Sequence, residues 1–256
     1  MEATKNTLAL VLNRQAYRES DSLVTVYTRD FGRLSLIARG TKKIQSKLVG
    51  HLEPLTLSEI MIVGGKGLDY IGSAVTRDAY LNLKSDLNKL YYAGQAIILF
   101  RRLVKENQAD ERLFFLLADW LKVLDDFIGE GTAPNQTELA KETGELFFAF
   151  FAWKLLVELG YQPEMSKCLV CGCKIEPGKN WFNFKDGGLI CPNCHSVRTT
   201  VADSSEQEYF LVSDNCLKLI RFILGNGFKQ AGRLRLDKKI IKEENQLLRS
   251  FLEFIK

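Results

Sequence analysis

Four cysteines in the second half of the chain have the spacing of a metal site. Cys168 and Cys171 form one C-x2-C pair, and Cys191 and Cys194 form a second pair after an interval of 19 residues. Two such turns bring four thiolates to about 2.3 Å from one zinc ion. Because sulfur would fill all four positions, no coordination site is left for water or substrate. The spacing therefore predicts a structural Zn²⁺ rather than a catalytic one.

The residues between the two pairs predict the element that brings the pairs together. Apolar runs flank an Asp-Gly-Gly sequence at residues 186–188, which is typical of a β-hairpin. A hairpin would return the second pair to the first, as in a zinc ribbon over residues 165–198. Cys173 and His195 stand beside the pairs as alternative ligands, although neither keeps the paired spacing.

A basic segment near the N-terminus is the second candidate for chemistry. From Phe31 to Leu52 the chain carries five basic residues and no acidic residue. Lysines act as mobile point charges, and arginines can hold phosphates through two hydrogen bonds. We predict that nucleic-acid phosphates bind here, and the alternative is a solvated loop. The predicted contacts are Arg14, Arg33, Arg39, Lys42, Lys43 and Lys47.

The charge distribution supports a polyanionic partner for both ends of the chain. The net charge is only +4. Residues 1–80 carry 11 basic and 8 acidic side chains, and residues 218–256 carry 10 and 4. Such clustering is the electrostatic pattern of a nucleic-acid binder. A second basic set in the C-terminal part comprises Arg221, Lys229, Arg233 and Arg235.

The common catalytic templates are missing. The chain has two histidines, neither of them in a nucleophile–base arrangement, and it has no Walker motif and no H-E-x-x-H motif. We therefore expect a protein that is not an enzyme. The N-terminus does not resemble a signal peptide, no apolar run is long enough for a membrane span, and the cysteines are clustered rather than spread. These features favour the cytoplasm.

Alternating apolar residues in two segments, a segment rich in β-branched residues and two further runs joined by a glycine-rich turn predict five short strands in the first part of the chain. Five antiparallel strands in about 70 residues fit a small closed barrel. An OB-fold is the leading candidate. The predicted strands cover residues 7–11, 22–28, 33–38, 55–63 and 68–75.

From about residue 80 the apolar period becomes helical. Three helices are expected before the ribbon, the first capped by Ser85, the second by Asp110 and the third starting at Asn135 or Thr137. After the ribbon, a helix near residues 206–211 is expected to be capped by Ser204 or Ser205. A further helix capped by Asp214 and a last one over residues 238–255 complete the chain. The fold class is thus α+β, with an OB-fold domain at 1–79 and a helical domain at 80–256 interrupted by the zinc ribbon.

Two N-terminal segments carry a family resemblance. Residues 12–23 read LNRQAYRESDSL, and residues 27–40 read YTRDFGRLSLIARG. Together with the GGLICPNC return at residues 187–194 and Leu248-Arg249-Ser250, they resemble the RecO family of bacterial DNA repair proteins. The likeness extends over the whole chain.

The resemblance implies a recombination mediator that binds single- and double-stranded DNA and promotes annealing of complementary strands. Proteins of this family work with RecR and single-strand-binding protein so that RecA can load, which implies a nucleoid-associated role in the bacterial cytoplasm. The competing class is a zinc-ribbon interaction module without a direct DNA role, in which the basic segments are solvated faces.

Overall fold

The computed structural model describes residues 4–43, 45–128, 137–201 and 208–255. The chain divides into two compact units, which we call the N-terminal unit (Met1–Ile128) and the C-terminal unit (Gly129–Lys256). Packing therefore groups the helices that follow the barrel with the barrel. The domain limits of 1–79 and 80–256 stay a prediction.

The N-terminal unit begins with a closed five-stranded barrel in the order β1-β2-β3-β5-β4. All pairings are antiparallel except that of β3 with β5, which meet in parallel where Ile37 pairs with Tyr70. The prediction of an OB-like barrel is confirmed. The strands are β1 (Thr4–Tyr17), β2 (Asp21–Thr28), β3 (Gly32–Ala38), β4 (Leu57–Val63) and β5 (Tyr70–Asp78).

The barrel closes around alternate residues of its strands. Ala9 and Val11 of β1 and Val24 and Val26 of β2 are buried in one cluster, and they alternate because successive side chains of a strand point to opposite faces. The other face is also covered in places, since Leu10 and Tyr27 are buried as well. Leu36 of β3 joins the same cluster. These alternate residues form the interior of the barrel.

Three helices complete the N-terminal unit: α1 (Leu81–Ser85), α2 (Leu87–Leu103) and α3 (Glu111–Asp126). The prediction that Ser85 caps the long helix is wrong, because the Asp86 carboxylate accepts the N–H groups of Asn88 and Lys89. Asp110 caps α3 as predicted. A carboxylate at this position accepts hydrogen bonds from helix N–H groups that have no partner within the helix.

The segment between α2 and α3 contacts the turn that connects β2 and β3. The Asn107 N–H donates to the Arg33 carbonyl over 3.1 Å. Gly32 adopts φ +71°, and a Cβ atom there would lie 2.2 Å from the carbonyl oxygen of Gln108. Only glycine allows this approach. In the same unit, the ring of Tyr27 packs edge-on against Phe100 with a centroid separation of 4.8 Å.

In its described residues, the C-terminal unit has four α-helices and a small antiparallel sheet in the order β7-β6-β8. Residues 209–212 form the third strand of this sheet, so the prediction of a helix near residues 206–211 is wrong over its described part. The proposed caps Ser204 and Ser205 lie outside the described residues. The elements are α4 (Thr137–Glu158), β6 (Asn180–Asn183), β7 (Gly188–Ile190), α5 (Pro192–Val201), β8 (Tyr209–Val212), α6 (Asp214–Gly225) and α7 (Lys238–Phe254).

Helix α4 is the centre of this unit. Its described residues are buried on successive turns and on more than one face, including Phe147, Phe150, Phe151 and Trp153. Helices that are apolar all round are enclosed by neighbours, and α6 and α7 pack on α4. Among the described residues, no helix combines the length and the apolar composition needed to span a bilayer.

Two helix starts after the sheet depend on side-chain caps. The Ser213 hydroxyl accepts the Cys216 N–H at the start of α6, so Ser213 is the cap and the predicted cap Asp214 is the first helical residue. Asp237 caps α7 by accepting the N–H of Lys239.

Candidate metal centre and nucleic-acid surface

The first cysteine pair lies in a tight turn ahead of the hairpin. The Gly172 N–H donates to the Cys168 carbonyl over 2.9 Å, and the Cys168 N–H donates to the Cys173 carbonyl over 2.8 Å. Gly172 adopts φ +71°, a left-handed conformation that other residues rarely take. The turn therefore folds back on itself and directs the Cys168, Cys171 and Cys173 side chains into one region.

The hairpin of β6 and β7 brings the second pair to this turn. Cys191 directly follows β7, and Cys194 lies in the first turn of α5. The Leu169 N–H donates to the Leu189 carbonyl over 2.9 Å, which joins the first turn to β7. The Cys191 N–H points at the Cys168 sulfur over 3.4 Å. The predicted ribbon layout thus brings the two C-x2-C pairs together.

Five thiols meet at this point. The sulfurs of Cys168, Cys171, Cys173 and Cys191 all lie within 4.8 Å of one another. The Cys171 sulfur is 3.2 Å from that of Cys173 and 3.9 Å from that of Cys191. The Cys194 thiol interacts with those of Cys168, Cys171 and Cys191. The tightest set thus contains Cys173, whereas the predicted ligand set contains Cys194; which four bind a metal stays a prediction.

The surroundings of these thiols favour thiolates at Cys168 and Cys171. Burial opposes ionisation of Cys168, but backbone N–H groups, including those of Cys171 and Cys191, lower its pKa to about 6. The Cys173 N–H lowers the pKa of Cys171. The Cys171 thiol and burial raise the pKa of Cys173 to about 12, while burial and the adjacent thiols raise that of Cys194 to about 12.

The donor set fits a tetrahedral zinc ion. With Zn–S bonds of about 2.3 Å, two ligand sulfurs of one ion lie about 3.8 Å apart, and the separation of the Cys171 and Cys191 sulfurs is 3.9 Å. Four clustered thiols without a nearby carboxylate ligand are typical of structural zinc. The residues that would hold the ion are supplied by the first turn, by the end of β7 and by the start of α5.

His195 packs against the sheet, and its ring position differs from that of a solvent-facing side chain. Its imidazole is parallel to the Trp181 indole, with ring centroids 3.9 Å apart, and the Tyr209 ring meets it edge-on at 5.0 Å. Burial lowers the pKa of His195. The stack connects α5 to β6 and β8, so it fixes the helix that carries Cys194.

The basic loop, defined here as residues 39–48, leaves the end of β3 and is held by the turn between β1 and β2. The Gly40 N–H donates to the Asp21 carboxylate over 2.9 Å, and this bond chiefly lowers the pKa of Asp21. The Lys42 N–H donates to the Ser20 carbonyl over 3.1 Å. The hydroxyls of Ser22 and Thr41 share a buried hydrogen bond of 2.7 Å. The start of the loop is therefore anchored to the barrel.

Four of the predicted phosphate contacts lie on this loop and are exposed: Arg39, Lys42, Lys43 and Lys47. The Arg39 guanidinium lies over the Tyr70 ring, 4.1 Å from its centroid. The Lys42 ammonium donates to the Arg18 carbonyl over 3.1 Å. None of the four takes part in an ion pair with a carboxylate in the part of the chain that the structure describes. These exposed charges are thus not neutralised by a carboxylate within this part of the structure.

The other two predicted contacts are used within the N-terminal unit. Arg14 donates to the Glu53 carboxylate over 2.7 Å and to the Val49 carbonyl over 2.9 Å. Arg33 donates to the Arg101 carbonyl and lies 3.4 Å from the Glu106 carboxylate. Both guanidiniums are largely covered, with side-chain exposures of 21% and 16%. The structure therefore does not bring all six residues together on one free surface.

The second basic set is also partly engaged. Arg221 donates twice to the Met165 carbonyl, over 2.8 and 2.6 Å, just ahead of the first cysteine pair. Arg235 donates to the carbonyls of Gly232 and Leu234. These arginines hold backbone in place.

Sequence reasoning missed one titratable residue. Glu244 of α7 is completely buried, and its Oε1 accepts the Trp153 indole N–H over 2.7 Å. Its Oε2 has no hydrogen-bond partner among the described residues. Burial raises the pKa of Glu244 to about 7. A signal was present, because Glu244 falls between Ile241 and Leu248 on the apolar stripe of α7.

Two family models match the chain. The one described as Recombination protein O N terminal matches residues 1–80, and the one described as Recombination protein O C terminal matches residues 84–254.

Individual relatives agree with the family models. A protein of Dehalococcoides mccartyi (strain CBDB1) named DNA repair protein RecO is 30% identical over 249 residues, which cover 97% of this chain and 89% of that relative. A protein of the same name from Roseiflexus sp. (strain RS-1) is 30% identical over 97% of this chain and 80% of its own length. A protein of the same name from Alkaliphilus metalliredigens (strain QYMF) is 25% identical over 96% of this chain and 91% of its own length.

Proposed function

Because this chain belongs to the RecO family of DNA repair and recombination proteins, we propose that it is a mediator that binds single- and double-stranded DNA by its phosphates. The observation that carries the proposal is the anchored basic loop, whose Arg39, Lys42, Lys43 and Lys47 are exposed. Phosphates need positive charge at fixed positions and no base-specific groups. Such binding is independent of sequence, as a protein acting on any damaged site requires.

Strand annealing follows from the same electrostatics. Two complementary strands repel each other, and a surface of exposed lysines and arginines concentrates both and screens that repulsion. The protein would then promote pairing without any bond-making step, in keeping with our expectation that it is not an enzyme. An incubation of DNA with the protein and Mg²⁺ should leave the DNA uncut.

We assign different roles to the six predicted contacts. The four loop residues would contact phosphates, whereas Arg14 and Arg33 would chiefly hold the barrel and its neighbouring segments through Glu53 and Glu106. The structural basis is the pairing of both arginines with carboxylates. A variant series that separates the two groups is described below.

The cysteine cluster would hold one structural Zn²⁺. Its role would be to fix the first turn, the hairpin and α5 relative to one another, since the ligands come from all three. A bound ion would act as a cross-link between these elements, because four thiolate ligands leave no open coordination position. In the family role, the protein would act with RecR and single-strand-binding protein to load RecA in the bacterial cytoplasm.

The test is fluorescence anisotropy with two unrelated single-stranded oligonucleotides and one duplex over a salt series. We expect similar affinities for the two sequences and a logarithm of affinity that falls linearly with the logarithm of salt. Co-purification with RecR and with single-strand-binding protein tests the partners. Absence of DNA binding at low salt, with retained partner binding, would favour the interaction module without a direct DNA role.

A further inference from the structure

The cysteine cluster contains one thiol more than a tetrahedral ion can bind. Two groups of four thiols can be drawn in this cluster, and both contain Cys168, Cys171 and Cys191. Cys173 belongs to the set whose sulfurs are all within 4.8 Å of one another, and Cys194 interacts with the other three from the first turn of α5. The fourth position of an ion therefore has two candidates that arrive on different elements.

The distances between sulfurs show that Cys173 would have to move before it could bind the same ion as Cys171. The sulfurs of Cys171 and Cys173 are 3.2 Å apart, whereas two ligands of one zinc ion lie about 3.8 Å apart. Cys171 and Cys191, at 3.9 Å, match that spacing. One of the two outer side chains would thus complete a tetrahedron with Cys168, Cys171 and Cys191.

We propose that Cys173 and Cys194 are interchangeable fourth ligands of a single zinc ion held constantly by Cys168, Cys171 and Cys191. This inference rests on the proposal that the cluster holds zinc. The proposed site differs from a fixed four-cysteine zinc ribbon because either Cys173 or Cys194 is not bound to the ion at any moment.

The exchange is balanced without any other reactant. As the bond from zinc to the Cys194 sulfur breaks, a bond from zinc to the Cys173 sulfur forms. The Cys173 thiol releases its proton as it becomes a ligand, and the departing Cys194 thiolate takes up one proton. No electrons are transferred, and the charge of the site is unchanged.

The surroundings leave the Cys173 side chain more freedom to move than the Cys194 side chain. Cys173 is exposed, and its carbonyl is fixed by the Cys168 N–H at 2.8 Å, so only its side chain needs to turn. Cys194 is half-buried on α5, which the stack of His195 on Trp181 holds against β6. A modified or oxidised fourth ligand could thus be replaced without loss of the ion.

The first experiment compares zinc content and Co²⁺ absorption in full-length variants under reducing conditions. Cys173→Ser and Cys194→Ser should each retain one zinc per chain, with metal affinity lowered less than about tenfold. The double variant of Cys173 and Cys194 keeps only three cluster thiols and should lose metal affinity by on the order of 100-fold or more. The control Cys168→Ser should lose a similar amount although four cysteines remain, because Cys173 and Cys194 compete for one position and only three thiolates can bind at once. Co²⁺ spectra of both single variants should keep the absorption of a tetrahedral four-thiolate site.

A second measurement needs no variant, so it is independent of folding defects. Zinc-loaded wild-type protein is treated briefly with a limiting amount of a thiol-alkylating reagent, and the position of the label is found by mass spectrometry. We expect single labels divided between Cys173 and Cys194, with zinc retained. A label confined to one of these residues would overturn the inference, as would loss of metal in either single variant to the extent seen in Cys168→Ser. Wild-type protein without zinc would instead refute the zinc proposal itself.

Discussion

The candidate sites of the two compact units differ in how their ionisable side chains are surrounded. The C-terminal unit gathers five thiols into one cluster and encloses Glu244 completely. The N-terminal unit leaves Arg39, Lys42, Lys43 and Lys47 facing solvent. A buried ionisable group acts through the stability of the fold, whereas an exposed charge acts mainly on what approaches it. Substitutions in the two units should therefore change different measurable quantities.

The largest effect should follow removal of the metal site. Structural zinc contributes on the order of 10 kcal/mol of apparent binding free energy, while a domain is stable by only about 5–15 kcal/mol. We expect Cys168→Ala with Cys191→Ala to yield a metal-free and poorly soluble protein. Metal analysis measures the zinc content of the variant, and circular dichroism measures how much of it is folded. Zinc-free wild-type protein with a normal thermal midpoint would contradict it.

Glu244 should make stability depend on pH. Its pKa in the fold is about 7, against an ordinary value of 4.5. Below pH 4.5 the carboxyl is neutral in the folded and in the unfolded protein. Between pH 4.5 and 7 it loses its proton in the unfolded protein but keeps it in the fold, so the free energy of unfolding falls as pH rises. Above pH 7 this free energy levels off. The loss amounts to about 3 kcal/mol. Glu244→Gln should remove this dependence in thermal unfolding between pH 4.5 and 8.

The matched control for that experiment is Glu253→Gln, an exposed position on the same helix. It should keep the wild-type pH dependence. If the curves of Glu244→Gln and wild type ran parallel across the whole range, the buried carboxyl would not be the source of the dependence. DNA affinity should be the same in all three proteins at a temperature where each is folded.

The loop should show the opposite behaviour. Replacing Lys42, Lys43 and Lys47 by alanine should flatten the salt dependence of single-strand binding by about two units, because each lost phosphate contact removes about 0.7. Near 0.1 M salt, affinity should fall on the order of tenfold or more for unrelated sequences alike. The thermal midpoint and zinc content should barely move. Wild-type binding by this variant at every salt concentration would remove the loop from the DNA surface.

The smallest effect is expected at Arg14. Arg14→Ala removes a partly exposed ion pair with Glu53 and a hydrogen bond to the Val49 carbonyl, which together contribute about 1 kcal/mol. We expect a lower thermal midpoint and an unchanged salt slope. A reduced slope with unchanged stability would instead make Arg14 a phosphate contact, as the sequence alone had suggested.

Local geometry explains which features the sequence could predict. A C-x2-C turn sets the distance between its own thiols, and a hairpin with Asp-Gly at its turn returns the chain on itself, so the cluster follows from neighbours in sequence. The choice between Cys173 and Cys194 as a ligand cannot be predicted from neighbours in sequence, because it depends on side chains of two different elements. The alternation of apolar residues in the segments that form β1 and β3 predicted these strands for the same local reason.

Long-range partners account for the features that the sequence did not reveal. Arg14 and Arg33 find carboxylates 39 and 73 positions further along the chain, at Glu53 and Glu106. Strand β8 forms because its backbone pairs with β6, which overrides a local pattern that suggested a helix. Glu244 was hidden because a single acid on an amphipathic helix is usually assigned to the solvent face.

The contact between Gly32 and the carbonyl of Gln108 has a consequence for protein engineering. The turn between β2 and β3 meets the backbone ahead of α3 so closely that no side chain fits between them. A barrel transplanted alone into a relative would lose this surface and the Tyr27–Phe100 contact. The portable module is therefore the whole segment through Ile128, and chimeras joined after that residue should express better than fusions that stop at the last barrel strand.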